Sequence, residues 1–195
     1  MDLAAFFKAE LAEHHDVARR TEAALSGAFA ELVRACVKSV RGGGKLMFFG
    51  NGGSAADAQH LATELTIRYK TSRAPIAAIA LTTDTSALTA AGNDLGFENI
   101  FARQIEALGR AGDVVIGIST SGKSANVIAA LKKAKAMGLV TAAFGGKGGD
   151  MAGLADHLLA VPSETVARIQ EMHITLGQML CAALEIELDL VPPPR

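Results

Sequence analysis

Three stretches of this chain carry residue types at spacings that hold phosphate, sugar hydroxyls or a metal. Residues 117–124 read GISTSGKS and follow the run DVVI. Gly117, Gly122, Lys123 and Ser124 fit G-x-x-x-x-G-K-S/T, the turn that cradles the phosphates of ATP or GTP where a helix begins. Residues 50–55, GNGGSA, fit G-x-G-x-x-A, the turn of dinucleotide-binding units. His60 and Glu64 stand four apart, so on a helix both project from one face and could ligate one metal. A solvent-exposed His/Glu pair is the commoner meaning of that spacing, and spacing alone leaves both readings open.

Neither nucleotide reading finds its acidic partner. A dinucleotide turn wants a carboxylate about 20 residues later to hold the ribose. The nearest one at a strand end is Asp84, 34 residues after Gly50. A triphosphatase needs an acidic residue after another apolar strand to hold Mg²⁺. Asp84 is again the one candidate, and it lies three residues beyond Leu81. The GISTSGKS loop is also rich in hydroxyls (Ser119, Thr120, Ser121, Ser124) where nucleotide loops use more glycine. Four hydroxyls and the N–H groups of a helix start make a cradle for one terminal phosphate monoester. Simple cap and turn roles for the same Ser and Thr are the alternative.

These loops need a scaffold, and the chain supplies an alternating one. With 195 residues, half of them apolar, there is enough chain for one substantial core. Apolar runs of strand length occur at 45–49, 76–81, 113–118, 139–144 and 157–161, each apolar on both faces as in a buried parallel strand. Helical spacing occupies 54–69, 85–91 with 98–108, 124–137 and 150–155 between them, and 164–190 after them. The expected architecture is a single α/β domain over 1–195, with a five-stranded parallel, doubly wound sheet flanked by helices. Residues 1–41 read as two N-terminal helices, or one bent at Ser26-Gly27, with apolar faces suited to packing against another copy. Residues 191–195, VPPPR, read as a flexible tail. In such sheets, ligands bind beyond the carboxyl ends of the strands, where GNGGSAADAQH, TTDTSALTAAGND and STSGKSAN all fall.

Charge and cysteine usage exclude several classes. The net charge is −1 and the basic residues are scattered; Lys132, Lys133 and Lys135 form the wet face of a helix, so no nucleic acid is expected. Cys36 and Cys181 sit in apolar helical patterns and read as buried structural thiols. No apolar run reaches the ~20 residues of a membrane span, and the first residues lack a secretory pattern. A cytoplasmic protein without a membrane partner is expected.

Taken together, GNGGSAADAQH, TTDTSALTAAGND, STSGKS and RIQEMH resemble the sugar isomerase (SIS) domain family, in its order and spacing. The resemblance runs from the N-terminal helices to the final helix. It is closest to the phosphoheptose isomerases, which convert sedoheptulose 7-phosphate to D-glycero-D-manno-heptose 7-phosphate. It implies that Ser119, Thr120, Ser121 and Ser124 hold the sugar phosphate, while Asn51, Gly52, Gly53, Ser54, Asn93 and Asp94 line the sugar. It implies a zinc ion on His60, Glu64 and Gln170, a homotetramer, and sites at subunit boundaries. Gln170 and Glu64 also meet the substrate. The reaction needs a base that takes a proton beside the carbonyl and returns it one carbon over, a role that suits Glu64. Metal or donors such as Ser54 would steady the enediolate oxygens.

One position departs from the family. Eight residues after the motif Gln, the family has a His that completes the metal site and acts as an acid; here that residue is Gln178. A Gln can offer zinc its carbonyl oxygen but cannot shuttle a proton. His173 is five residues away, about 140° around the helix, and does not take that place. Asp57, one turn before His60, reads as a helix-terminal or supporting partner, with proton relay its other reading. The rival to an enzyme is a non-catalytic SIS module that senses a sugar phosphate or binds a replication-initiation partner. Retention of Glu64 argues for the enzyme, Gln178 mildly against it.

Overall fold

A computed structural model describes residues 1–147 and 149–193. Five of the apolar runs become β1 (Leu46–Gly50), β2 (Ala78–Ala80), β3 (Val114–Ser119), β4 (Val140–Gly145) and β5 (His157–Ala160). All pairings are parallel and the spatial order is β2-β1-β3-β4-β5. Around them lie α1 (Leu3–Arg41), α2 (Gly53–Thr66), α3 (Thr85–Asp94), α4 (Ile100–Leu108), α5 (Ala125–Ala136) and α6 (Val166–Glu187). The α/β, five-stranded, doubly wound architecture is therefore the one expected.

Successive strand residues point to opposite faces, so each central strand feeds two cores. Leu46, Phe48, Val114, Ile116, Ile118 and Phe144 join residues of α1, α2 and α6 in one core. Met47, Phe49, Val115 and Ala143 join α3, α4 and α5 in the other. That double burial explains why β1 and β3 read as unbroken apolar runs with no alternation.

Two expectations are corrected. The N-terminal segment is one unbroken helix of 39 residues, not two helices or a bent one. Gly27 has open space where a Cβ would stand, and Leu25 and Leu32 on either side are buried. The core contacts of those neighbours outweigh the ~1 kcal/mol that glycine costs a helix. The helical stretch expected at 150–155 is a 3₁₀ turn, Asp150–Gly153, with glycines at 149 and 153. The expected tail lies partly outside the described residues, at 194 and 195.

The chain winds one way from β1 to β2 and then returns to place β3 on the other side of β1. A crevice opens where the direction reverses, beyond the carboxyl ends of β1 and β3. The loops of residues 51–52 and 120–124 face each other there.

Candidate active site

The loop after β3 forms the cradle. Ser119, the last residue of the strand and 4 % exposed, has its Oγ 2.9 Å from Ser124 Oγ and 3.4 Å from Ser121 Oγ. Gly122 makes the turn at φ 65° and donates its N–H to Ser119 O. Ser124 occupies the cap position of α5 but makes no side-chain cap bond. Its hydroxyl faces the other serines, and the first N–H groups of a helix have no partners within it. Three hydroxyls and a helix N-terminus thus face one small space. Thr120 carries the next wall: its carbonyl accepts the N–H of Gly146, just after β4. Lys123 contributes only its backbone N–H, to Ser121 Oγ at 3.2 Å, and its side chain is exposed.

The β1 loop is locked to this cradle by a residue that spacing did not reveal. Asn126, 2 % exposed, donates Nδ2 to Asn51 Oδ1 at 2.8 Å, and Asn51 Nδ2 donates to Asn126 Oδ1 at 2.9 Å. The reciprocal amide pair joins the two loops across the crevice and occupies the Asn51 side chain. Only its position in STSGKSAN, directly after the cradle, hinted at Asn126. Gly52 turns the chain at φ 56° and Ser54 is buried in the first turn of α2. Beside them a cavity of about 510 Å³ is lined by Asn51, Gly52 and Thr82, with Leu88, Thr89 and Gly92 of α3. Asn93 and Asp94 follow Gly92 at the exposed end of α3, where they pair with each other (Asn93 Nδ2 to Asp94 Oδ1, 2.7 Å). Asp84, the one acid either nucleotide reading had, is spent as the cap of α3, accepting the N–H of Ala87 at 2.9 Å.

A second cluster lies where α2 and α6 run side by side. His60 Nε2 is 3.1 Å from Glu64 Oε1 and 3.3 Å from Gln178 Nε2. The two atoms of an amide head are interchangeable in such a contact. Ligand atoms sharing one tetrahedral zinc stand about 3.3 Å apart, so both separations from His60 are ones a shared divalent metal would allow, with Glu64 and the Gln178 amide as the other donors. Two of these donors are strong and one is weak. Among the described residues, no three His, Cys, Asp or Glu side chains converge in that way. Gln170 is placed apart from the trio, with its amide against Gly53, where no Cβ would fit. It stands about 12 Å before Gln178 along α6.

The remaining titratable groups have clear environments. Asp57 caps no helix end; its Oδ2 is buried without a hydrogen-bond partner, and burial raises its carboxyl above the ordinary value while His60 pulls it down. Cys36 and Cys181 are free and buried, and burial pushes both thiols up to about 12. They are protonated, inert packing groups.

His173 is fully buried and donates Nε2–H to Gly145 O at 3.0 Å, while Nδ1 has no partner. Burial lowers it to about 4, against the opposing pull of the Gly145 bond. It stays neutral at pH 7 and is not a proton donor. An unfolded His titrates near 6.5, so stability linked to neutral His173 is complete above that pH and is lost as pH falls through about 4. The shift corresponds to a loss on the order of 3 kcal/mol. Thermal midpoints of wild type should fall more between pH 7 and pH 4 than those of His173→Phe. Parallel curves would refute the assignment.

Residues 11–146 match the SIS domain, and the chain belongs to that family. The phosphoheptose isomerase of Paramagnetospirillum magneticum is 60 % identical over 186 residues, covering 95 % of this chain and 97 % of that one. That of Campylobacter jejuni is 53 % identical over 177 residues, 90 % of this chain and 95 % of its own. The solved phosphoheptose isomerase of Neisseria gonorrhoeae superposes with a TM-score of 0.88 at 44 % identity, covering 94 % of this chain and 98 % of that one.

Proposed function

We propose that this protein is an aldose–ketose isomerase that converts D-sedoheptulose 7-phosphate to D-glycero-D-manno-heptose 7-phosphate. The observation that carries the reading is the near full-length likeness to phosphoheptose isomerases, in a chain that keeps both the hydroxyl cradle and Glu64. A non-catalytic SIS module is not favoured by relatives of that kind.

Ser119, Thr120, Ser121 and Ser124 hold the terminal phosphate at the start of α5, whose N–H groups and dipole favour the dianion. Asn51, Gly52, Gly53 and Ser54 line the sugar, with Asn93, Asp94 and Gln170 completing the site. Glu64 takes a proton from C1 of the ketose, giving the 1,2-enediolate, and returns it to C2. The hydroxyl proton of O1 must also reach O2. Gln178 has no proton to exchange, so its amide can orient the oxygens but cannot relay. Asp57, one turn before His60, has a carboxyl that burial pushes toward the protonated form against the pull of His60, and it is assigned that relay. Zinc on His60, Glu64 and Gln178 would supply charge to steady the enediolate oxygens, with Gln170 too far along α6 to join them. The protein works in the cytoplasm as a homotetramer whose subunits bury the exposed Leu3, Phe6, Phe7 and Leu11 of α1 and complete each other's sites.

Incubation of the purified protein with sedoheptulose 7-phosphate tests the activity. The aldose should accumulate, and its absence both with and without added zinc would overturn the proposal.

A further inference from the structure

The most heavily bonded buried group outside the site lies where α2 ends. Arg73 stands between α2 and β2 with its side chain 1 % exposed. Its Nε donates to Glu185 Oε1 at 2.7 Å, Nη1 to Leu65 O at 2.7 Å and Nη2 to Glu64 O at 2.6 Å. The same Glu185 oxygen accepts the N–H of Tyr69 at 3.1 Å, and the Glu185 side chain is 3 % exposed. The last turn of a helix leaves carbonyls without partners and carries the negative end of its dipole. The guanidinium places its charge there and donates to two of those carbonyls, Leu65 O, which also accepts the N–H of Ile76, and the carbonyl of Glu64 itself.

Glu185 belongs to α6, seven residues and thus two turns beyond Gln178, on the same side of the helix. α2 and α6 run parallel and meet at two levels. Leu61 packs on Gly177, where a Cβ would stand 2.5 Å from Leu61 Cδ1, so the helices touch without slack. His60 meets Gln178 in the same layer. One to two turns on, Arg73 ties Glu64 and Leu65 to Glu185. A slip of α2 by one residue would move His60 about 1.5 Å along α6, enough to break its contact with Gln178.

We propose that Arg73 and Glu185 are positioning residues for the reaction centre: the buried pair fixes the register of α2 against α6, and so sets His60 and Glu64 opposite Gln178. The inference rests on the reading of Glu64 as the base. Stability and positioning separate experimentally. Removing one partner of a buried ion pair strands a charge and strongly destabilises, whereas replacing both by apolar residues of similar volume is often neutral.

The test is the double variant Arg73→Met/Glu185→Leu, with Glu64→Gln alongside. The double variant should fold by circular dichroism and bind inorganic phosphate as wild type does, because the cradle lies on other elements. Its kcat should fall roughly 10²-fold, the cost of a misplacement of about 1 Å, with KM little changed. A folded double variant with wild-type kcat overturns the proposal, as does a loss confined to phosphate binding. If the double variant does not fold, Arg73→Lys is read by the same criteria; failure of both to fold also overturns it, since the pair then serves the fold alone. A fully active Glu64→Gln enzyme sinks the base assignment instead. An inactive Glu64→Gln enzyme beside a fully active double variant sinks only the positioning role.

Discussion

Replacing Glu64 by Gln should lower kcat by roughly 10²–10⁴-fold while leaving substrate affinity near wild type. The substitution keeps the length and shape of a side chain that is 20 % exposed, and the amide can still contact His60. It removes the ability to take and return a proton and, with the negative charge, a strong metal donor, so the two enzymes are compared at matched zinc content. Because the proposed phosphate cradle is at the start of α5, on a different element, the variant should still bind inorganic phosphate and the sugar phosphate. Two measurements check this: steady-state kinetics, and incorporation of deuterium from solvent into C1 and C2 of the sugar. Loss of both turnover and exchange, with binding retained, is the expected pattern. Full turnover would take Glu64 out of the base role. Lost turnover with rapid exchange would place its contribution after the enediolate.

That prediction rests on a spacing visible in the sequence, but much of the site was not visible there. The central strands were legible because burial on both faces leaves β1, β3 and β4 as continuous apolar runs. The cradle was legible because a strand, a hydroxyl-rich turn and a helix start follow each other directly. Ser26-Gly27 misled because a local helix breaker was weighed without the core contacts of Leu25 and Leu32 around it. Gly149 and Gly153 misled the other way, leaving a short 3₁₀ turn where a helix was expected. Asn126 and Arg73 escaped for a different reason. Asn126 finds Asn51 at a separation of 75 residues, and Arg73 finds Glu185 at 112. No periodicity encodes such pairings; only the parallel packing of α2 on α6 and the meeting of two loops at the winding reversal create them. Likewise the proximity of Gln178 to His60, 118 residues apart, followed from family resemblance and not from pattern.

The cradle carries the other large effect, and it separates a sugar-phosphate loop from the nucleotide loop that GISTSGKS spells. Ser119→Ala/Ser124→Ala should lower kcat/KM by roughly 10²–10⁴-fold, and weaken inhibition by inorganic phosphate in step. A hydrogen bond to a charged group contributes ~1.5–3 kcal/mol, so two lost bonds amount to ~3–6 kcal/mol, at 1.4 kcal/mol for each factor of ten. The lower end is favoured, because Ser119 and Ser124 bond each other at 2.9 Å and that bond is exchanged for the phosphate when it binds. Lys123→Ala should behave quite differently. In a nucleotide loop the lysine reaches the outer phosphates and is indispensable. Here its side chain is exposed, while its backbone N–H, which the substitution keeps, is the atom that meets Ser121. The expected change is within about threefold, the scale of a surface charge. If Lys123→Ala cost as much as the double serine variant, the lysine would be a phosphate ligand and the loop would hold its anion as nucleotide loops do. If neither variant changed phosphate binding, the anion would sit elsewhere in the crevice, and the serines would be helix-start residues and nothing more.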